Sequence, residues 1–404
     1  MTMIKNTTYS ILQTAWQTSC RLWRAVCAGA ILLMLTPLAS CEREPELHLF
    51  DAGEVEIELP AIDLELDTYW DYELEYGVVY DWRAEWYYGW DERDQEHWGD
   101  IGYTTPTRFN LRRYYTGSQT PAHHTSVEKS SINGTYVQNM KFAWGFWDIL
   151  VWNDIEEMVM SLNFDESTTL DEVTAYTNMS MHASRYHAPR YTRAFYEPEA
   201  LFSAYQTGID INRNLDGFEY VPERNAWVKR LPLLLKPVTY IYLTQVILHN
   251  NNGKIVNVDG SSIISGMSRS VVLNNGVAGS DAISVYYDVR LKNDCDMEGE
   301  KVDIVGGHLL TFGICDQNSI SIKKYEDVKD VNDHYMDVTM MFQNGIDSTF
   351  TFNVTDQVRK RWKGGVLTVE LDMDTIPVPK RSGGSAFDAV VKDYEDGGTH
   401  EFDM

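Results

Sequence analysis

The sequence predicts an all-β protein of two β-sandwich domains behind an export signal. Three observations lead there. Short runs of residues alternate between apolar and polar, which is the period of half-buried strands. Asn- and Gly-rich turn signals separate those runs. The chain has 404 residues, whereas a single core stops growing near roughly 250 to 300 residues. A hydrophobic fraction of 44% with 23% charged residues suits a packed core rather than disorder.

The first element is a targeting segment. Residues 1–40 carry Lys5, Arg21 and Arg24 with no acid, then an apolar run from Ala25 to Leu38, then Leu38-Ala39-Ser40-Cys41. This order reads as a secretory signal, and the apolar run is shorter than the roughly 20 residues a spanning helix needs. Leu-Ala-Ser-Cys resembles the lipobox of bacterial lipoproteins. Cys41 is then the lipidated first residue of the mature chain, its acyl chains (palmitate among them) holding the protein on the outer membrane. The alternative is an ordinary secretory signal followed by an incidental cysteine.

An acidic stretch follows. The net charge of −26 becomes −29 once residues 1–40 are removed, and residues 41–100 hold 20 acids against Arg43, Arg83 and Arg93. Glu42, Glu44 and Glu46 directly after the cysteine resemble a surface-export signal, or serve as a solvated tether over residues 41–52. So acidic a chain, without a basic stripe, excludes nucleic acid as a partner.

In the first sandwich, placed at 53–228, strands are expected at Val55–Leu59, Ile62–Leu66, Phe109–Tyr115, Phe146–Trp152, Met158–Leu162 and Val173–Tyr176, with one short helix at Pro198–Gln206. Pro222, Pro232 and Pro237 cluster at the boundary. The second sandwich, 229–404, is expected to hold strands at Val238–Leu248, Ile255–Val258, Ser270–Leu273, Ile283–Leu291, Leu309–Ile314, Ile320–Lys323, Met336–Phe342, Thr349–Val354, Val366–Leu371 and Phe387–Lys392. Turns are expected at Asn250–Gly253, Asn274–Gly276 and Gly306-Gly307.

Chemistry-bearing motifs are few. GxSxG, P-loop, dinucleotide and HExxH patterns do not occur, so no catalytic residue, cofactor or metal is assigned. The nearest approach to a metal motif is Asn212 to Glu223, which resembles a calcium loop. It has neutral Asn212 where a carboxylate belongs and Pro222 inside, and a polar turn is the simpler reading. After Cys41 only Cys295 and Cys315 remain. They form either a disulfide, worth about 3 kcal/mol by loop closure, or two buried free thiols. Eight of the twelve tryptophans lie between Trp70 and Trp152. Trp82, Trp86, Trp90 and Trp98 sit in a charged, loop-like stretch, and their faces could stack on a sugar or another partner. The competing role for such aromatics is core filling.

Four segments together sharpen the reading: Phe146-Trp147-Asp148-Ile149-Leu150-Val151-Trp152-Asn153-Asp154, Ser265-Gly266-Met267, Thr311-Phe312-Gly313 and Phe352-Asn353-Val354-Thr355-Asp356-Gln357-Val358. They resemble motifs of the fimbrillin-like lipoproteins of Bacteroidota, a group related to FimB and Mfa-type fimbrial anchors. The resemblance implies two transthyretin-like sandwiches on the cell surface, assembly by β-strand exchange, adhesion, and no catalysis. Fimbrial subunits or host and cell-surface ligands are the implied partners, and a glycan-binding outer-membrane lipoprotein is the alternative. Strand exchange needs an open sheet edge. Val55–Leu59 is the candidate acceptor edge, and Phe387–Tyr394, after the Ser382–Ser385 hinge, the candidate donor. The acidic Trp-rich stretch around Asp81–Asp100 departs from the family pattern.

Overall fold

The computed structural model describes residues 58–59, 62–66, 82–103, 106, 108–115, 127–133, 140–141, 144–155, 161–165, 172–180, 194–212, 214–223, 226–229, 231–319 and 321–380. All of them belong to the compact unit Glu56–Met404. Cys41, the glutamates after it and Phe387–Tyr394 lie outside the described residues.

The fold is all-β. A six-stranded sheet runs Ile62–Leu66, Leu231–Pro237, Phe202–Ile211, Gly145–Asn153, Arg108–Tyr115, Val127–Asn133 from edge to edge. Its central strand Gly145–Asn153 alternates as the sequence requires. Trp147, Ile149 and Val151 point into one apolar cluster with Phe109, Leu111, Phe202, Leu231 and Leu233. Leu150 and Trp152 point to the other face, packing with Leu162, Ala175, Val271 and Phe312. That second layer is a four-stranded sheet, Val277–Ala278, Ser270–Val272, Thr174–Thr177, Leu162–Asp165. Of the candidate acceptor edge Val55–Leu59, Glu58–Leu59 is described, in a two-residue ladder with Met140–Lys141.

The large sheet runs Asp347–Asn353, Tyr335–Phe342, Ile255–Ser268, Ala282–Met297, Glu300–Thr311, Tyr240–His249, Gly365–Asp372. Its 16-residue strand Ala282–Met297 pairs with Ile255–Ser268 up to Asp288, then with Glu300–Thr311 from Val289 onward. Strands from both ends of this path meet in one core: Tyr242, Val246, Leu248 and Leu367 from one side, Ile264, Met336, Val338 and Met340 from the other. The short helix Thr355–Lys360 sets Val358 and, just after it, Trp362 against the same core.

Three connections cross the expected 228/229 division. Leu231–Pro237 lies in the six-stranded sheet, Thr174–Thr177 pairs with Ser270–Val272, and Ala194–Tyr196 pairs in parallel with Ser284–Tyr286.

Several expectations are corrected. Pro198–Gln206 is not helical: Phe202 opens a strand to Ile211, with a bulge at Thr207-Gly208 where Gly208 (φ 68°) donates its N–H to Asp148 Oδ1 at 2.8 Å. The apolar spacing there is short and serves a strand buried at both ends. Ser321–Lys323 forms no strand. Ser321 N–H instead closes a turn on Asn318 O at 3.0 Å. Gly306-Gly307 is not a turn but the middle of strand Glu300–Thr311. Glycine there answers close approach. A Cβ on Gly306 would sit 2.3 Å from the Tyr88 ring, and one on Gly307 would sit 2.7 Å from the Tyr287 ring. The turns at Asn250–Gly253 and Asn274–Gly276 do form, with Asn250, Asn252, Gly253 and Gly276 in the left-handed region.

Candidate functional site

The strand Tyr240–His249, YIYLTQVILH, is buried on both faces. Tyr240, Tyr242, Val246 and Leu248 face the sandwich core. Ile241, Leu243 and Ile247 face outward, where a sheet usually meets water. Their cover is the acidic, tryptophan-rich segment 82–103.

This segment is not the loop the composition suggests. Residues Trp82–Glu85 form a helical turn, and Glu92–Trp98 a short helix. The helix starts because Asp91 caps it: Asp91 Oδ1 accepts from Arg93 N and Asp94 N at 2.9 and 3.1 Å. Asp94 Oδ2 accepts from Asp91 N at 3.0 Å, completing a reciprocal capping box. Gly99, at φ 79°, ends it.

The cover is anchored by directional contacts. Gln245, a fully buried amide on the outer face, accepts from Tyr87 N at 3.0 Å and donates to Glu85 O at 2.6 Å and Thr368 Oγ1 at 3.0 Å. In the same cross-strand row, Gly306 lies opposite Gln245 and opposite Arg290, and Tyr88 lies flat over it. Asp94, whose side chain is 1% exposed, takes Arg290 Nη1 at 3.0 Å and Tyr88 OH at 3.1 Å on Oδ1, and Lys292 Nζ at 2.7 Å on Oδ2. Lys292 Nζ also stands 4.1 Å from the Tyr88 ring centre and 3.1 Å from Asp91 Oδ2. Breaking such a buried carboxylate would leave two cations without their partner. Burial, with Asp94 beside it, raises the Tyr88 phenol well above its ordinary pKa. Lys292 holds the Asp91 carboxyl down to about 2. At the far end Tyr103 OH donates to Thr239 O at 2.5 Å, and Glu85 takes Arg361 Nη2 at 2.6 Å.

The four tryptophans therefore divide. Trp86 is 8% exposed, packs on the sheet and donates its indole N–H to Gly89 O at 2.9 Å, so its face is closed to any partner. Trp90 and Trp98 are half-buried, 5.4 Å apart, with the Arg290 guanidinium 5.8 Å from the Trp98 ring. Trp82 starts the helical turn. The segment's outward side is acidic, with Asp91, Glu92, Glu96 and Asp100 exposed. Sequence reasoning missed Asp94, Gln245, Gly306 and His308. The signals for them were a polar residue inside an apolar run, a Gly-Gly pair inside a strand, and D-x-x-D before an aromatic.

Cys295 and Cys315 are both free thiols and both buried, so no disulfide joins them. Cys295 lies in the apolar layer under the cover, and Cys315 Sγ faces Gly266 O at 3.9 Å. Burial raises both, Cys315 to about 12, so neither is a ready nucleophile.

Other polar groups are committed to structure. In the Asn212–Glu223 loop, Asn212 Oδ1 accepts from Asn214 N at 3.0 Å. Lys229 Nζ reaches Asp210 O at 3.0 Å and Asp216 O at 3.4 Å. An ammonium thus binds one carbonyl of the loop and one of the strand before it, while Glu223 is carried to the exposed far end of strand Phe218–Val221. The fully buried His334 is held at Nε2 by Asp330 Oδ2 at 2.6 Å and at Nδ1 by Ser265 O at 3.1 Å. Desolvation raises the Asp330 carboxyl, but His334 and Arg359 pull it the other way and its pKa ends lowered.

No family model matches the chain, and no curated protein matches it. Solved structures do. An adhesin candidate from Bacteroides ovatus ATCC 8483 is 14% identical with a TM-score of 0.44, over 79% of this chain and 93% of that one. The fimbrial anchor protein Mfa2 from Porphyromonas gingivalis is 11% identical with a TM-score of 0.37, over 66% of this chain and 82% of that one. A candidate polysaccharide-binding protein from Bacteroides thetaiotaomicron VPI-5482 is 8% identical with a TM-score of 0.39, over 79% and 92%.

Proposed function

We propose that the chain is a non-enzymatic, surface-attached adhesion or fimbrial-accessory protein, tethered to the outer membrane through lipidated Cys41 and joined to partners by strand pairing at a sheet edge. The observation that carries this reading is where the recognition capacity lies. Trp86, Asp94, Gln245 and His334 are spent on internal contacts. Strand Asp347–Asn353, by contrast, stands at the end of the large sheet and is paired only with Tyr335–Phe342 among the described residues. A seven-residue edge offers backbone N–H and C=O groups to an added strand. The inward-turned Trp86 weakens the glycan-binding alternative, which needs open aromatic faces.

Affinity capture from native outer membranes, run without boiling, tests the reading. A stable partner that separates on heating is expected, together with loss of membrane attachment in Cys41→Ser. Recovery of the chain alone, or a Cys41→Ser variant still anchored with lipid, would overturn it.

A further inference from the structure

We infer that the segment 85–103 is an acid-released cover, which lifts from the outer face of the large sheet as pH falls while the sandwich core stays folded, with His308 as the trigger. The inference goes beyond the adhesion reading and does not depend on it.

The geometry starts with strand Glu300–Thr311. Val302, Ile304, Gly306 and His308 share its outer face, the face on which Tyr88 rests. His308 is 6% exposed. Leu243 stands opposite it on the neighbouring strand, the Trp90 ring lies 5.8 Å away, and Nε2–H donates to Ile101 O at 3.2 Å. Two of these three neighbours belong to the cover, so the cover is what shields the imidazole from water.

The charged groups around it are placed elsewhere. Asp94 and Asp91 are engaged by Arg290 and Lys292 beside Gly306 and Ile304. His97 meets Asp288 at 3.4 Å on the exposed side of the helix. Glu197 accepts from Leu310 N at 3.0 Å, a contact with the sheet and not with the cover. The hydrogen bond His308 makes is to an uncharged carbonyl, so a proton arriving on Nδ1 finds no carboxylate among the described residues to neutralise it.

Burial lowers the His308 pKa from 6.5 to about 4 while the cover is closed. With the cover lifted, the ring meets water and regains its ordinary value. The open form then binds the proton more tightly. Closure is undiminished above about pH 6.5 and weakens as pH falls toward 4, where the open-to-closed ratio has risen by about a hundredfold. Asp91, held down to about 2 by Lys292, stays charged through this window. Lifting the cover bares Ile241, Leu243, Ile247, Ile304 and Val366, an apolar strip on an otherwise intact sheet.

Amide hydrogen exchange on the mature chain at pH 7 and pH 4.5, corrected for the intrinsic pH dependence, reads both layers at once. Amides of 86–101 are expected to exchange tenfold or more faster at pH 4.5, with those of 242–248 unchanged. His308→Asn is expected to abolish the difference. Strand and cover amides rising together, or a pH response retained in His308→Asn, would overturn the inference. If that variant does not fold, the His308 imidazole is titrated directly by NMR in the wild type. A midpoint near 6.5 overturns the mechanism, and one depressed toward 4 supports it.

Discussion

Leu248 and Ile247 are neighbours on one strand, both with 0% exposure, yet they are buried by different physics. Leu248 enters the core enclosed by the large sheet with Val246, Ile264 and Val338, where contacts are apolar and nondirectional. Ile247 lies beneath a segment fixed by a buried amide, a carboxylate with two cations and a neutral histidine. Dispersion and hydrophobic burial hold the inner layer at any moderate pH or salt. The outer layer depends on protonation and on charge pairing. The same strand therefore carries one face that sets global stability and one that can open locally.

The largest expected effect breaks this comparison directly. Leu248→Ala should cost about 3–5 kcal/mol, because strands from both ends of the large sheet flank the cavity and cannot collapse into it. That loss should appear as a lower global unfolding midpoint in denaturant. Ile247→Ala removes a comparable side chain, but the cover can settle toward the gap, so about 2 kcal/mol is expected. Its first sign should be faster exchange of amides 86–101. Equal midpoint shifts in the two variants would show that the cover and the core unfold as one.

Much of the inner layer was legible in the sequence. Short apolar-rich runs located Phe146–Trp152, Met336–Phe342 and Thr349–Val354 close to their observed strands; Asp347–Asn353 shows the period of two, whereas Gly145–Asn153 and Tyr335–Phe342 are buried on both faces. The outer layer was not legible for a related reason. A strand covered on both faces shows a continuous apolar run, and YIYLTQVILH does not announce which segment covers its second face. The covering residues read as an exposed acidic loop, since 82–100 holds six acids and its inward side is carried by a few residues, Trp86, Tyr88 and Asp94. Gly306-Gly307 read as a turn because close approach by a ring 218 positions away leaves the same glycine signature as a reversal. Helix Glu92–Trp98 was missed because seven residues show little periodicity, and its capping box is the local signal.

A smaller effect sharpens the outer half of the comparison. Gly306→Ala places a Cβ where the Tyr88 ring now lies, and the ring must move off the sheet, weakening Tyr88 OH to Asp94 Oδ1. About 1–3 kcal/mol is expected from overpacking of this kind. Tyr88→Ala removes the obstacle along with its own burial, so Gly306→Ala added to Tyr88→Ala should cost much less than it does alone. Additive costs in the double-mutant cycle, measured by chemical denaturation, would mean that Gly306 is required for the strand rather than for the cover.

The smallest effect concerns Glu197, which lies beside the same strand yet outside the cover. Its carboxyl accepts Leu310 N–H, and burial pushes it up to about 8, with that hydrogen bond pulling the other way. A raised carboxyl binds its proton more tightly in the folded state than in the unfolded one. Its contribution is therefore fully present below about pH 4.5 and is lost as pH rises through 8. That sign is opposite to the one at His308. The side chain is half-buried, so solvent screening limits the change to about 1 kcal/mol. Glu197→Gln keeps an oxygen for Leu310 N–H and removes the charge. Its melting temperature should match wild type near pH 5 and exceed it by a few degrees near pH 9, whereas exchange in 86–101 should be the same in both. A cover that loosens in Glu197→Gln would tie this edge to the outer layer and erase the division drawn between Leu248 and Ile247.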